Sequence, residues 1–295
     1  MTKPVKQSAL LQCIQEVVGT ARAVTAPAHA VNGDTLRNMQ VLLAEDNIVN
    51  QKLACRILEK LGATVTIADN GEAAIAALAA ATFDVILMDC QMPVLDGYET
   101  TRRIRMGAAG VDASKLPIIA LTAHALGGDR DRCLAAGMND YLTKPIDPAA
   151  LRSRLEELLG TDSPRVQATR ENPDAQIPSA VLDEAVLRGH IGDDSRFLEE
   201  LLGVLVVTID EQVVALLGAS TRGQIPAMAT HAHSIKGAAA NVGASALMRA
   251  AAALESAALE GAVEAHEIES VHTAWRDLQR HPKVEPFVKK SSRVA

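Results

Sequence analysis

Aromatic side chains are nearly absent: Phe, Tyr and Trp make up 2% of the 295 residues. Any core must therefore be built from Ala, Leu, Val and Ile, whose small volumes suit close packing of helices on one another and on a sheet. Positive charge is not in excess. The formal net charge is −7 and the pI is near 5.6, which argues against a general nucleic-acid-binding surface. Cysteine is scarce, and Cys13, Cys55, Cys90 and Cys133 show no metal-ligand spacing. Cys55 and Cys133 fall in helix-like stretches, so buried reduced thiols are expected rather than disulfides. No signal peptide and no apolar run of transmembrane length is read, which favours a cytoplasmic chain. There is no P-loop, no glycine-rich ATP lid and no helix-turn-helix, so autophosphorylation from ATP is not expected.

What is present is alternation. The length allows two domains of ordinary size with linkers. From Met39 onward short apolar strands alternate with helices: strands at Gln40–Ala44, Thr64–Ala68, Val85–Met88, Pro117–Leu121 and Tyr141–Leu142, helices at Ile48–Leu61, Gly71–Ala80, Tyr98–Arg105, Asp129–Ala136 and Pro148–Leu159. Such alternation predicts a doubly wound, five-stranded parallel α/β sheet over 39–160. Residues 161–179 carry Pro164, Pro173 and Pro178 among polar residues and read as a linker. From 180 to 281 only helical periodicity appears, in stripes such as Phe197, Leu201, Leu205, Ile209, Val213 and Leu216, and it predicts an all-α four-helix bundle. The polar 282–295 stretch is expected to be a disordered tail.

The chain also repeats itself. Thr2-Lys3-Pro4 followed by an apolar helix resembles Thr143-Lys144-Pro145 followed by its own helix. Residues 1–20 are accordingly read as the closing helix of an upstream domain of the same kind, and 21–38 as a linker.

In a doubly wound sheet, ligands bind beyond the carboxyl ends of the strands. Glu45 and Asp46 follow the first strand, Asp89 ends the third, Thr122 follows the fourth and Lys144 the fifth. Clustered carboxylates repel unless a cation neutralises them, and Mg²⁺ suits oxygen ligands. Asp46 and Asp89 are the expected direct ligands, with the Gln91 backbone carbonyl a third and Glu45 acting through water. Asp89 is the expected nucleophile toward a phosphoryl group. Lys144 would meet the phosphoryl oxygens as a charge and Thr122 as a hydroxyl donor.

The second site is His233-Ser-Ile-Lys236-Gly237. Positions three and four apart share a helical face. His233, Lys236 and Gly237 therefore form one patch, with His233 a solvent-facing nucleophile and Lys236 favouring the phosphoryl dianion. Gly237 and Ala240 would let a partner's acidic edge approach, while Ala232, Ile235, Ala239 and Val242 serve the core. His231 lies on another face.

Over roughly Met39–Gly160 the strand-end residues, with Asp96-Gly97, resemble the response-regulator receiver family. The segment Ala232–Ala244, with Leu247, Arg249, Leu254 and Glu255 beyond it, resembles the histidine phosphotransfer (HPt) domain. The resemblance implies the flavodoxin-like strand order, a cis Lys144–Pro145 peptide and Tyr141 as a switch residue moving with Thr122. Together the two resemble the C-terminal part of a hybrid sensor histidine kinase. The expected role is a phosphorelay intermediate, with a sensor histidine kinase upstream, a response-regulator receiver downstream, and no nucleic acid or direct membrane segment. If the parent is membrane-bound, this would be its cytoplasmic part. A flexible linker of about 20 residues reaches roughly 25 Å, giving Asp89 and His233 an effective concentration on the order of millimolar. Two alternatives use the same residues: a phosphorylation-independent interaction module regulating a kinase, and a phosphate sink draining a regulator.

Overall fold

The structure, a computed structural model, describes residues 36–110, 112–122, 127–158 and 181–291. The Thr2-Lys3-Pro4 helix and the 161–179 linker lie outside the described residues. The first layer system alternates β1 (Gln40–Ala44), α1 (Ile48–Lys60), β2 (Thr64–Ala68), α2 (Gly71–Ala80), β3 (Val85–Asp89), α3 (Gly97–Arg105), β4 (Ile118–Thr122), α4 (Gly127–Ala136), β5 (Asp140–Thr143) and α5 (Pro148–Leu158). All pairings are parallel, in the order β2-β1-β3-β4-β5. Right-handed crossovers in this order leave helices on both faces, so the central strands are apolar without alternation. β3 and β4 are buried throughout.

Successive strand residues still face opposite ways. Val41 and Leu43 pack with Leu53, Ile57, Leu151 and Leu155 beneath α1 and α5. Leu42 and Ala44 pack with Leu78, Ile86, Ile104 and Cys133 beneath α2, α3 and α4. Leu36 is buried in the first cluster and its amide donates to the Leu61 carbonyl at 3.1 Å. The packed unit therefore begins a few residues before the expected boundary at Met39. Cys90 and Cys133 are buried with their sulfurs 3.7 Å apart, and Cys55 is half-buried.

The second part is helical: α6 (Glu184–Ile191), α7 (Ser195–Thr221), α8 (Ile225–Asn241), α9 (Ser245–Glu260), α10 (Ala265–Gln279) and α11 (Glu285–Ser291). Helices α7 to α10 form the bundle around Leu205, Ile209, Ile235, Leu254 and Trp275. Trp275, the single tryptophan of the chain, is buried and donates its Nε1 hydrogen to Asp210 Oδ1 at 3.2 Å.

Two expectations are corrected here. The 282–295 tail is not wholly irregular: Val284 is fully buried, and Phe287 and Val288 pack on the bundle. Their i, i+3, i+4 spacing makes one short apolar face, masked in the sequence by the lysines around it. Among the described residues one helix, α7, is also long and apolar enough to cross a membrane. Its stripe Leu201, Leu205, Ile209, Val213 and Leu216 is buried against the bundle, while Val207, Val214 and Leu217 on the same helix are exposed.

If the α11 segment is anchored, Val284→Ala will lower the unfolding free energy by about 2 kcal/mol. Urea denaturation of the full chain measures this; an unchanged midpoint would restore the disordered tail.

Candidate functional site

Phasing of polar residues to strand ends brings the acidic cluster together. Carboxylate oxygens of Glu45, Asp46 and Asp89 lie within 4.8 Å of one another. Lys144 Nζ sits 2.6 Å from Glu45 Oε2 and 2.6 Å from Asp89 Oδ2. Its preceding segment is pinned by the Lys144 amide donating to the Thr122 carbonyl at 2.7 Å. Thr122 is itself buried at the same edge. The Lys144–Pro145 peptide is cis, as the family resemblance implied. Tyr141 is half-buried against the α2–α4 side of the core. The Gln91 amide donates to Asp89 Oδ1 at 3.2 Å. Close approach is needed behind Asp89 too: a Cβ on Gly97 would lie 2.0 Å from the Asp89 carbonyl oxygen.

Electrostatics follow from this crowding. Burial, then the charge of Glu45, pushes the Asp46 carboxyl up to about 6 against the pull of Lys144. Burial raises Asp89 to about 7, although Lys144 and His233 oppose it. Burial alone would lower the Lys144 ammonium, but Asp89 and Glu45 outweigh it and hold it above its ordinary value. Three carboxylates with one ammonium leave an unbalanced negative charge, which a hard divalent cation with oxygen ligands fits. Asp46, Asp89 and the Gln91 carbonyl are the residues that could hold it, with Glu45 occupied by Lys144 and suited to contact through water.

The histidine site is placed across from this edge. A cleft of about 680 Å³ is lined on one side by Asp46, Gln91, Met92, Pro93 and Val94, and on the other by Pro226, Thr230, His233 and Glu255. His233 Nδ1 lies 2.7 Å from Glu255 Oε1. An ionised carboxylate only accepts, so Nδ1 carries the hydrogen and the neutral ring keeps its lone pair on Nε2. Burial would raise the Glu255 carboxyl, yet His233 and Lys236 outweigh it and hold it at about 2.

Here the sequence reading needs correction. Lys236 is buried and paired with Glu255 Oε2, so it does not stand free to receive a phosphoryl dianion. The His233 side chain is only 16% exposed, facing the cleft rather than open solvent. Ala232, Ile235, Ala239 and Val242 are buried in the core as expected. His231 points elsewhere, with Nδ1 2.8 Å from Gln212 Oε1.

Sequence reasoning missed the residues that join the two parts. Helix α1 lies against α6, α7 and α8, with Val49 in the bundle's core and Phe197 and Leu198 against the sheet's. Asn47 caps α1 through Val49 and Asn50 amides, and its Nδ2 also donates to Ser234 Oγ at 2.9 Å. Lys52 pairs with Glu200 and Arg56 with Asp194. Arg56 also stacks over Phe197 at 5.4 Å. Val94, at φ +67°, holds a strained left-handed backbone for a β-branched residue at the rim of the cleft. The one available signal was Asn47 and Asn50, three apart on one helical face.

Glu255 has a folded-state pKa depressed from 4.5 to about 2. Its stabilisation is thus present above the unfolded value and lost as pH falls through the folded one. Glu255→Gln is expected to lower unfolding free energy by about 3 kcal/mol at neutral pH. The gap from wild type should narrow from about pH 5 to about pH 3. Urea melts at several pH values measure it; a constant gap would mean that the lost charge is not the cause.

Residues 41–156 match the response regulator receiver domain and residues 200–281 the Hpt domain. Sensor histidine kinase GacS of Pseudomonas protegens is 30% identical over 238 residues, covering 80% of this chain and 26% of that protein. Virulence sensor protein BvgS of Bordetella pertussis is 34% identical over 240 residues, covering 79% of this chain and 19% of that protein. The chain thus spans 26% or less of the length of these curated relatives. A receiver domain of a sensor histidine kinase from Pseudomonas aeruginosa, crystallised with magnesium coordinated in its active-site cleft, is 48% identical. The match covers 42% of this chain and 98% of that one, with a TM-score of 0.39. The chain joins a response regulator receiver domain to an Hpt domain, has hybrid sensor histidine kinases as relatives, and fits a phosphorelay component.

Proposed function

We propose that the chain is a two-station phosphorelay intermediate in which Asp89 and His233 exchange a phosphoryl group. The observation that carries this is the shared cleft: Asp46, whose carboxylate lies within 4.8 Å of that of Asp89, lines one wall with Gln91, and His233 with Glu255 lines the other. A sensor histidine kinase supplies the group and a response regulator receives it.

In the first step a carboxylate oxygen of Asp89 attacks the donor phosphorus, and the donor imidazole leaves with the electron pair of its P–N bond. In the second, the Nε2 lone pair of His233 attacks the phosphorus of the acyl phosphate. The P–O bond to Asp89 breaks and the carboxylate leaves with its electrons. Imidazolium charge built on His233 is met by Glu255, whose carboxylate stays ionised. Lys144 offsets charge on the Asp89 side, and Thr122 supplies a hydroxyl donor at the same strand ends. Mg²⁺, when bound by Asp46, Asp89 and the Gln91 carbonyl with Glu45 through water, would supply charge neutralisation of the transferring group. Lys236 acts indirectly by fixing Glu255. Tyr141 would report the state of Thr122.

The test is incubation with Mg²⁺ and labelled acetyl phosphate, comparing wild type with Asp89→Asn and His233→Gln. Wild type should carry acid-stable, base-labile label at Asp89 and acid-labile label at His233. Asp89→Asn should reduce both by on the order of a hundredfold or more. Undiminished label on His233 in Asp89→Asn would sink the relay.

A further inference from the structure

Asn50 is 6% exposed and uses both ends of its amide. Nδ2 donates to Glu45 Oε1 at 2.7 Å, and Oδ1 accepts from Asn241 Nδ2 at 2.6 Å. Glu45 accepts only, which fixes which end of the amide faces it. The other Glu45 oxygen binds Lys144, which binds Asp89, each at 2.6 Å. A continuous polar chain thus runs Asn241, Asn50, Glu45, Lys144, Asp89, from the bundle to the phosphoacceptor. Gly237 provides the notch: a Cβ there would sit 3.2 Å from Asn50 Nδ2, tighter than ordinary contact. Glycine at this position therefore seats Asn50 rather than giving general access.

We propose that Asn50 is a positioning residue that couples seating of the Hpt bundle to the acidic cluster, so that docking raises the cluster's divalent-cation affinity. When Asn241 holds Oδ1, the amide cannot turn, and its Nδ2 keeps Glu45 beside Asp46 and Asp89. Partners outside the immediate ligands fix carboxylate orientation in this way. Without Asn241 a buried acceptor loses its donor and the amide is released. Linkage is reciprocal, so the cation must strengthen docking by the same factor. The inference rests on the reading of this cluster as a cation site, but not on any phosphoryl transfer.

The experiment is calorimetric titration of Mg²⁺ into the full chain, without phosphodonor, for wild type, Asn50→Ala, Asn241→Ala and the double variant. Each single change should weaken Mg²⁺ by about tenfold, and the double should be no weaker than the singles because both break one chain. Gly237→Ala, which crowds Asn50 from the bundle side, should act in the same direction and guards against a folding defect in the receiver variant. Amide exchange along Ile48–Lys60 should slow with Mg²⁺ in wild type but not in Asn241→Ala. Wild-type Mg²⁺ affinity in a folded Asn241→Ala, or additive losses in the double, overturns the coupling. Since no phosphoryl group is present, a failed relay and a failed coupling give different results.

Discussion

A lysine ammonium buried between two carboxylates, beside a third, is the constraint on which the receiver half depends. Lys144, Glu45 and Asp89 are each nearly inaccessible, and none could be buried alone without a cost of several kcal/mol. Their mutual pairing is possible only because three separate strands end at the same edge. That follows from parallel pairing in the order β2-β1-β3-β4-β5. The apolar strands and the helices on both faces exist, in effect, to hold that edge in register. Gly97, with no room for a Cβ against the Asp89 carbonyl, lets α3 start directly behind Asp89.

The bundle solves a similar problem with opposite polarity. Lys236 and Glu255 form a buried pair, as Lys144 and Asp89 do. In the receiver, burial first and the charge of Glu45 after it raise the Asp89 carboxyl toward neutrality. In the bundle a single carboxylate shared by Lys236 and His233 is held strongly ionised, and the reacting group is the imidazole it orients. One site holds three carboxylates against a single ammonium. The other is balanced and presents a lone pair. In the proposed relay a phosphoryl group passes from a carboxylate that recovers its charge on leaving to a ring whose new charge is already matched.

Much of this was legible. Every receiver strand and helix could be read from alternation, because strands buried on both faces leave unbroken apolar runs between helical periods. That Asp46, Asp89, Thr122 and Lys144 gather at one edge was legible because each ends or follows such a run. His233 was legible from its Lys-Gly offset. What was not legible depended on partners distant in sequence. Helical spacing places Lys236 on the His233 face but does not reveal Glu255, which turns its ammonium inward. Asn50 reads as an ordinary polar helix residue until Asn241, 191 positions away, meets it. The α11 turn escaped because three apolar residues among lysines are too few for a periodicity to stand out.

The way α1 docks also bears on how the two parts could separate. Its outer contacts are ion pairs with partly exposed members: Lys52 and Glu200 are 29% and 54% exposed, Arg56 and Asp194 32% and 30%. Pairs of this kind contribute about 0–1 kcal/mol each and weaken with salt. The apolar part is confined to Val49 on one side and Phe197 and Leu198 on the other. Specificity therefore resides mainly in the oriented amides of Asn47, Asn50 and Asn241, which give direction without much net affinity. His233 lies on α8, the helix that these amides grip. In the proposed relay, a second receiver reaching His233 would have to displace the cleft wall of Asp46, Gln91, Met92, Pro93 and Val94. An interface built from exposed ion pairs and a few hydrogen bonds can release it, where a broad apolar one could not.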